Sequence, residues 1–185
     1  MRSIFWNKKA MGVEQVFIFV VMAITFALIV IFGYKAIGNF LQQGEQVQFI
    51  QFKNDIESAV KRIYTQYGST QIEEFTLPSR YEQICFVDMN YPFTEEEYTA
   101  LCRRDQLACT VWKQAQQAQQ EGKSGYAGVD ENVFLKPAGP VPIKVFAITV
   151  DSPDSASFLC LEINKGQFSL RLEGKGSYTQ LARGN

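Results

Sequence analysis

The sequence contains no histidine, the side chain most often used as a general base or a neutral metal ligand near neutral pH. None of its four cysteines forms the CxxC spacing common in zinc sites. A glycine-rich phosphate loop is also missing, because the segment GKGS at 174–177 lacks the upstream glycine spacing of a P-loop. We therefore expect no metal, no cofactor and no enzymatic activity.

Two acidic clusters, Glu73-Glu74 and Glu95-Glu96-Glu97, are the remaining candidates for catalytic carboxylates. The first lies in a β-prone run, and the second opens a predicted helix, where acidic side chains interact favourably with the helix dipole. We interpret both as solvent-facing.

Charge of either sign is not in strong excess, since 18 basic and 19 acidic residues give a formal net charge of −1. Arg2, Lys8 and Lys9 precede the first acidic residue, so the remainder of the chain has more acidic than basic groups. A nucleic-acid-binding protein needs a basic surface, and we therefore expect no nucleic-acid partner.

No charged residue occurs between Glu14 and Lys35. The apolar run 16–34 is interrupted only by Thr25 and Gly33, and at 1.5 Å per residue it spans roughly 28 Å, close to the thickness of a bilayer core. We predict a transmembrane helix over 11–36. The basic residues ahead of it favour a cytoplasmic N-terminus and an extracellular C-terminal domain in a single-pass protein of the cell membrane.

A cleaved secretory signal peptide is the alternative interpretation of this segment, because Ala36-Ile37-Gly38 is a small-x-small cleavage pattern. The apolar regions of such peptides span about 7 to 15 residues, and the present one is longer. We therefore favour a retained anchor over removal at Gly38.

All four cysteines, Cys85, Cys102, Cys109 and Cys160, follow the apolar segment. An even number of cysteines in a domain outside the membrane indicates an oxidising compartment and two disulfides. The alternatives are free buried thiols and a zinc site built from all four sulfurs.

Three disulfide connectivities are possible for four cysteines. Cys85 and Cys160 lie in the apolar strand-like segments ICFV and FLCLE, so we predict that they pair with each other. Cys102 and Cys109 are seven residues apart, about 10 Å along a continuous helix and too far for a bridge. Their pairing requires a helix break, which we place near Asp105.

The segment after the span is predicted to continue as an amphipathic helix over 37–68, with Gly68 just past its end. Its apolar positions recur near helical spacing. They are Ile37, Leu41, Ile50, Ile56, Val60, Ile63, Tyr64 and Tyr67.

Residues 69–185 are predicted to form a β-rich domain with a helical insert at about 94–121. Thr94 with Glu97 is a capping box, Phe93 with Tyr98 is a hydrophobic staple, and Asp105 is a fresh N-cap. The glutamine run of the insert is interpreted as a solvated helical face, with an assembly or binding role as the alternative. β-prone runs at 70–78, 81–89, 143–151, 157–163 and 167–174, and an edge strand at 133–135, complete the domain.

The turn Asn164-Lys165-Gly166 is predicted to join the last two of these runs as a bulged hairpin. Exposed apolar faces of such strands need a cover, which the amphipathic helix offers. The predicted fold class is therefore α+β, with a long N-terminal helix on a C-terminal antiparallel sheet.

A short basic leader ending in KKA, an early Glu14, a long apolar helix prolonged as an amphipathic one, and a β-rich domain with cysteines resemble archaeal type IV pilin-like proteins with a class III signal peptide. The resemblance implies that a membrane prepilin peptidase removes the leader 1–10. It places the cut among Lys8, Lys9, Ala10 and Met11, after Ala10 or after Lys9. Family members commonly have Gly before the cut and Glu at the fifth mature position; Glu14 is fifth only after a cut at Lys9.

Glu14 is the candidate assembly residue, because a carboxylate at the apolar end of a span is costly unless it is paired. Leader cleavage creates an α-amino group that a neighbouring subunit's Glu14 can pair with, and leaving one such buried charge unpaired costs about 3–5 kcal/mol. The alternative is that Glu14 simply ends the span at the headgroups.

The resemblance implies a structural subunit of a surface filament or pseudopilus. Its partners would be membrane lipid, the prepilin peptidase, and copies of itself or other pilins. The alternative is a monomeric, signal-anchored extracellular protein that binds a ligand or a partner.

Overall fold

A computed structural model describes residues 11–153 and 155–184, with side chains described from residue 15 onward except those of residues 39–42. Two compact units divide the chain between Gln46 and Val47. The first helix runs through this division, and each unit is considered by itself below.

The described residues form α-helices α1 to α3, a short 3-10 helix and strands β1 to β7, so the fold class is α+β as predicted. In chain order these are α1 (Met11–Tyr64), β1 (Thr70–Thr76), β2 (Gln83–Val87), α2 (Glu95–Arg104), α3 (Gln106–Gln120), the 3-10 helix (Tyr126–Gly128), β3 (Val133–Lys136), β4 (Ile148–Asp151), β5 (Phe158–Glu162), β6 (Gln167–Gly174) and β7 (Thr179–Arg183).

The strands form two sheets, which corrects the prediction of a single antiparallel sheet. One sheet has the order β1-β6-β7-β4 and the other has the order β3-β2-β5. Pairing is antiparallel except between β4 and β7, which are parallel. β7 was not predicted, although it is the strand that brings β4 into the larger sheet.

The main core lies between the two sheets and the C-terminal part of α1. Phe49, Phe52, Ile56, Val60 and Ile63 are all buried at helical spacing along α1. Aliphatic and aromatic side chains of both sheets complete this cluster. Residues 47–64 of α1 thereby bury one apolar face within the domain, and such burial is the favourable term that folding depends on most.

Three of the predicted apolar positions, Ile37, Ile50 and Tyr67, are exposed and are not part of that face. Ile50 is 46% exposed and Tyr67 is 82% exposed, and α1 ends at Tyr64 rather than continuing to Gly68. Gly68 instead has a φ of +78° in the turn that follows, where its N–H donates to the carbonyl of Gly174 at 2.8 Å.

A second core lies on the other face of the three-stranded sheet, under α2 and α3. Successive β2 side chains point to opposite faces, so Ile84 and Phe86 belong to the main core while Cys85 and Val87 belong to the second. Burial on both faces explains why β2 is a continuous apolar run rather than an alternating one.

The helical insert begins and breaks at the predicted residues. The hydroxyl of Thr94 accepts a hydrogen bond from the N–H of Glu97 at 3.3 Å, and the rings of Phe93 and Tyr98 are 5.4 Å apart. Asp105 has extended backbone angles and ends α2, and its side chain caps the start of α3. The predicted break is therefore confirmed.

The turn between β5 and β6 is tight, but it does not form the predicted hairpin within one sheet. Lys165 and Gly166 have φ values of +53° and +77°, and a short bridge joins Asn164 to Gln167. Beyond this bridge the strands diverge into separate sheets. A Cβ at position 166 would lie 2.5 Å from the carbonyl oxygen of Leu77, so only glycine fits there.

Candidate functional site

The N-terminal part of α1 presents an apolar surface on all sides. From residue 15 to residue 38 every side-chain position except Gly33 is exposed, and Phe26 is 70% exposed. The hydroxyl of Thr25 donates to the carbonyl of Val21 at 2.7 Å, so this polar group is satisfied without water. By length and composition this helix can span a membrane, the setting in which an all-round apolar helix is stable.

The predicted processing residues Lys8, Lys9 and Ala10 lie outside the described residues. Met11 is the first residue of α1, and Glu14 lies in its first turn with its side chain outside the description. Leader cleavage and the pairing of Glu14 therefore remain predictions.

Cys85 and Cys160 form a disulfide between paired strands of the smaller sheet, with their Cα atoms 4.0 Å apart. The N–H of Ile163 donates to the carbonyl of Glu82 in the same ladder, so the register places the cysteines at a non-hydrogen-bonded pair. Side chains of antiparallel strands are closest at such positions, which explains why the two sulfurs can meet.

Cys102 and Cys109 form the second disulfide, across the bend between α2 and α3. The break at Asp105 brings their Cα atoms to 5.1 Å, within the range that a disulfide can bridge. The same two pairs were predicted from the sequence. All four sulfurs lie in or against the second core, and two disulfides are typical of an oxidising compartment.

Glu97 joins the start of α2 to the loop that precedes β5. Its carboxylate accepts hydrogen bonds from the hydroxyls of Ser155 and Ser157, the latter at 2.6 Å, and from the N–H of Ala156 at 3.2 Å. Partial burial would raise the pKa of Glu97, but these hydrogen bonds outweigh it and lower the pKa. The prediction that Glu97 faces solvent is therefore wrong. The two serines lie far from Glu97 in the sequence, so the local pattern gave no sign of them.

Two further acidic residues have partners within the domain. Glu73 forms an ion pair with Arg62 of α1. Asp88 is buried, which raises its pKa, although it accepts hydrogen bonds from the N–H groups of Asn90 and Tyr91. Asp88 therefore shapes the loop after β2, a structural role.

A groove of about 570 Å³ opens beside β5, the outer strand of the smaller sheet. It is lined by side chains of both charge signs, among them Glu74, Glu162, Arg104 and Arg183. Cys160 forms part of its wall.

Within residues 11–153 and 155–184 no three Cys, Asp or Glu side chains are grouped in a way that could hold a metal ion. Comparison with protein-family models, curated proteins and solved structures gives no match to this chain. The function proposed below therefore depends on the sequence pattern and on the geometry of the chain itself.

Proposed function

We propose that the protein is a structural subunit of a type IV pilus-like surface filament or pseudopilus, assembled through its N-terminal hydrophobic helix after leader cleavage. The observation that carries the proposal is that two parts of α1 have different surroundings. One part of this helix is apolar and exposed on all sides, and the same helix supplies Phe49 through Ile63 to the core of a disulfide-bonded α+β domain.

The exposed part of α1 serves two successive environments in this proposal. Membrane lipid surrounds it before assembly, and the helices of other copies or of other pilins surround it in the filament. Both environments exclude water from the apolar side chains at 16–34. The leader 1–10, cut by a prepilin peptidase, and Glu14 belong to the same proposal through the resemblance to archaeal type IV pilin-like proteins.

The second candidate is a monomeric protein held at the cell surface by the same helix. The apolar segment and the disulfides support this candidate equally well. The two differ at the N-terminus, because a permanent anchor needs no cut within residues 8–11.

The deciding experiment is mass spectrometry of the mature N-terminus, on protein from membranes and from material sheared off the cell surface. A start at Ala10 or Met11 in both fractions supports the filament subunit. A start at Met1 with no sheared material supports the monomeric anchor, and a start at Asn39 indicates a secretory signal peptide. The matched control is Gly38→Leu, which removes the small residue of the signal-peptidase pattern and is expected to leave a prepilin-type N-terminus unchanged.

A further inference from the structure

A second cavity, of about 540 Å³, lies between the start of α2 and the glutamine-rich face of α3. The sequence favoured a solvated helical face here, with an assembly or binding role as the alternative. The structure places Phe93 and Tyr98, which precede and open α2, against that face. The wall of the cavity therefore combines apolar aromatic rings with polar side-chain amides.

The aromatic wall is rigid. Phe93 is 40% exposed, and its ring lies 5.4 Å from that of Tyr98 and 5.7 Å from that of Trp112, which is fully buried. An exposed ring held by two others costs little conformational entropy when a ligand packs on it. Phe93 is therefore a preformed platform for an apolar ligand face.

The amide wall is partly pre-oriented. Gln116 donates from Nε2 to the carbonyl of Tyr91 at 3.0 Å, and Gln119 donates to the carbonyl of Met89 at 3.4 Å. Because the nitrogen of each amide donates to the loop after β2, the amide oxygen points away from that loop and can accept a hydrogen bond from a ligand. The side-chain amides of Gln117 and Gln120 are exposed, and they have no hydrogen-bond partner within the described part of the chain.

The charge of the cavity selects the ligand class. Its lining contains one acidic residue, Glu95, and one basic residue, Lys113, so the surface has no net charge. A phosphate backbone would require an excess of Lys and Arg. Neutral amides, which both donate and accept, match hydroxyl groups, which do the same.

We propose that this cavity binds a neutral oligosaccharide. The apolar C–H face of a sugar ring packs on Phe93, and its hydroxyls exchange hydrogen bonds with Gln116, Gln117 and Gln120. This inference does not require filament assembly, since the cavity is complete within one chain.

The test uses the full-length protein in lipid nanodiscs, so that no sugar-headed detergent competes. An array of neutral and of sialylated or sulfated oligosaccharides identifies the binder, and isothermal titration calorimetry measures its affinity. We expect a neutral oligosaccharide to bind. Phe93→Ala should weaken it by roughly tenfold, and Gln117→Ala and Gln120→Ala each by a few-fold, the range of one lost stacking contact and one lost hydrogen bond.

Matched controls lie elsewhere on the same unit. Tyr67→Ala removes an aromatic ring that is 82% exposed, and Gln71→Ala removes an exposed amide on β1; both should leave the affinity unchanged. The two glutamine variants keep the test decisive if loss of Phe93 disturbs folding. Binding of no oligosaccharide, binding of acidic oligosaccharides only, affinity insensitive to both glutamine variants, or self-association of the chain through Phe93 would each overturn the proposal.

Discussion

The hydroxyl of Ser157, which is fully buried, donates a 2.6 Å hydrogen bond to the carboxylate of Glu97, 60 residues earlier in the chain. Through this contact the first turn of α2 is joined to the residue directly before β5, the strand that carries Cys160. The second core thus depends on one carboxylate as well as on two disulfides, which makes part of its stability dependent on pH.

Acid should weaken the protein through Glu97. Folding lowers the pKa of the Glu97 carboxyl from its ordinary value of 4.5. Such a shift stabilises the folded protein above pH 4.5, and this stabilisation is lost as the pH falls through the lowered pKa. Glu97→Gln removes the charge and is expected to cost about 1–3 kcal/mol at neutral pH, because the buried serine hydroxyls lose their anionic acceptor. Urea unfolding followed by tryptophan fluorescence measures this cost.

The difference between wild type and Glu97→Gln should shrink as the pH is lowered below 4.5. A difference measurement is needed because burial raises the pKa of Asp88, so its protonation stabilises the fold as the pH falls, in the opposite sense. Glu96→Gln, at an exposed neighbouring position, is the control and should stay close to wild type. A constant difference at every pH would contradict the prediction.

The two disulfides should contribute unequally to stability. The Cys85–Cys160 bridge closes a separation of 75 residues and the Cys102–Cys109 bridge one of 7. In the chain-entropy model these are worth about 4 and about 2 kcal/mol, because the longer loop restricts the unfolded chain more. Paired Cys→Ser variants of each bridge, unfolded in urea without reductant, measure the two contributions.

Peptide mapping without reductant provides the control for that comparison, since it must recover each bridge intact in the variant that lacks the other. Free thiols at all four positions would contradict the disulfide assignment. A larger loss from removing the short bridge would contradict the entropic ranking.

Phe52 and Ile50 lie two positions apart on α1, and their substitutions should have unequal effects on stability. The ring of Phe52 meets those of Phe75 and Phe168 at 6.2 and 6.0 Å and is buried in the main core. Phe52→Ala should cost about 3–5 kcal/mol, the usual range for a buried phenylalanine. Ile50→Ala, on the exposed side, should change stability by about 0.5 kcal/mol or less. Similar losses would place Ile50 in the core as well.

Short-range sequence patterns were sufficient to predict the helical insert. The Thr94 cap, the contact of Phe93 with Tyr98 and the fresh cap at Asp105 involve residues within a few positions of one another, so their spacing alone predicts them. The break at Asp105 in turn made the Cys102–Cys109 bridge predictable.

Long-range pairing was not predictable in the same way. β7 has the short sequence TQLAR, with little apolar periodicity, and its neighbour β4 is parallel to it, so no hairpin turn marks the pair. The turn at Gly166 was predicted from its residues, but the divergence of β5 and β6 into two sheets depends on what each strand meets beyond the turn.

Side-chain roles were missed for a similar reason. A capping box assigns the side chain of Glu97 to its own helix, whereas the hydroxyls of Ser155 and Ser157 are reached only through the tertiary fold. Phe93 was predicted as a staple, and its second role beside the glutamines of α3 requires knowing how α2 and α3 pack.

Glu14→Ala should reduce incorporation of the subunit into sheared filaments while leaving membrane insertion intact. In the proposed filament, the substitution would remove the partner of a neighbour's α-amino group, and an unpaired buried charge costs about 3–5 kcal/mol, whereas the apolar run at 16–34 is untouched. Co-expression of tagged wild-type and variant chains, followed by shearing and quantification of both in filament and membrane fractions, measures the ratio. Gln15→Ala is the matched control at the next residue and should incorporate like wild type. Equal incorporation of Glu14→Ala and wild type would show that Glu14 only ends the span at the headgroups, and that axial register is set elsewhere on the helix.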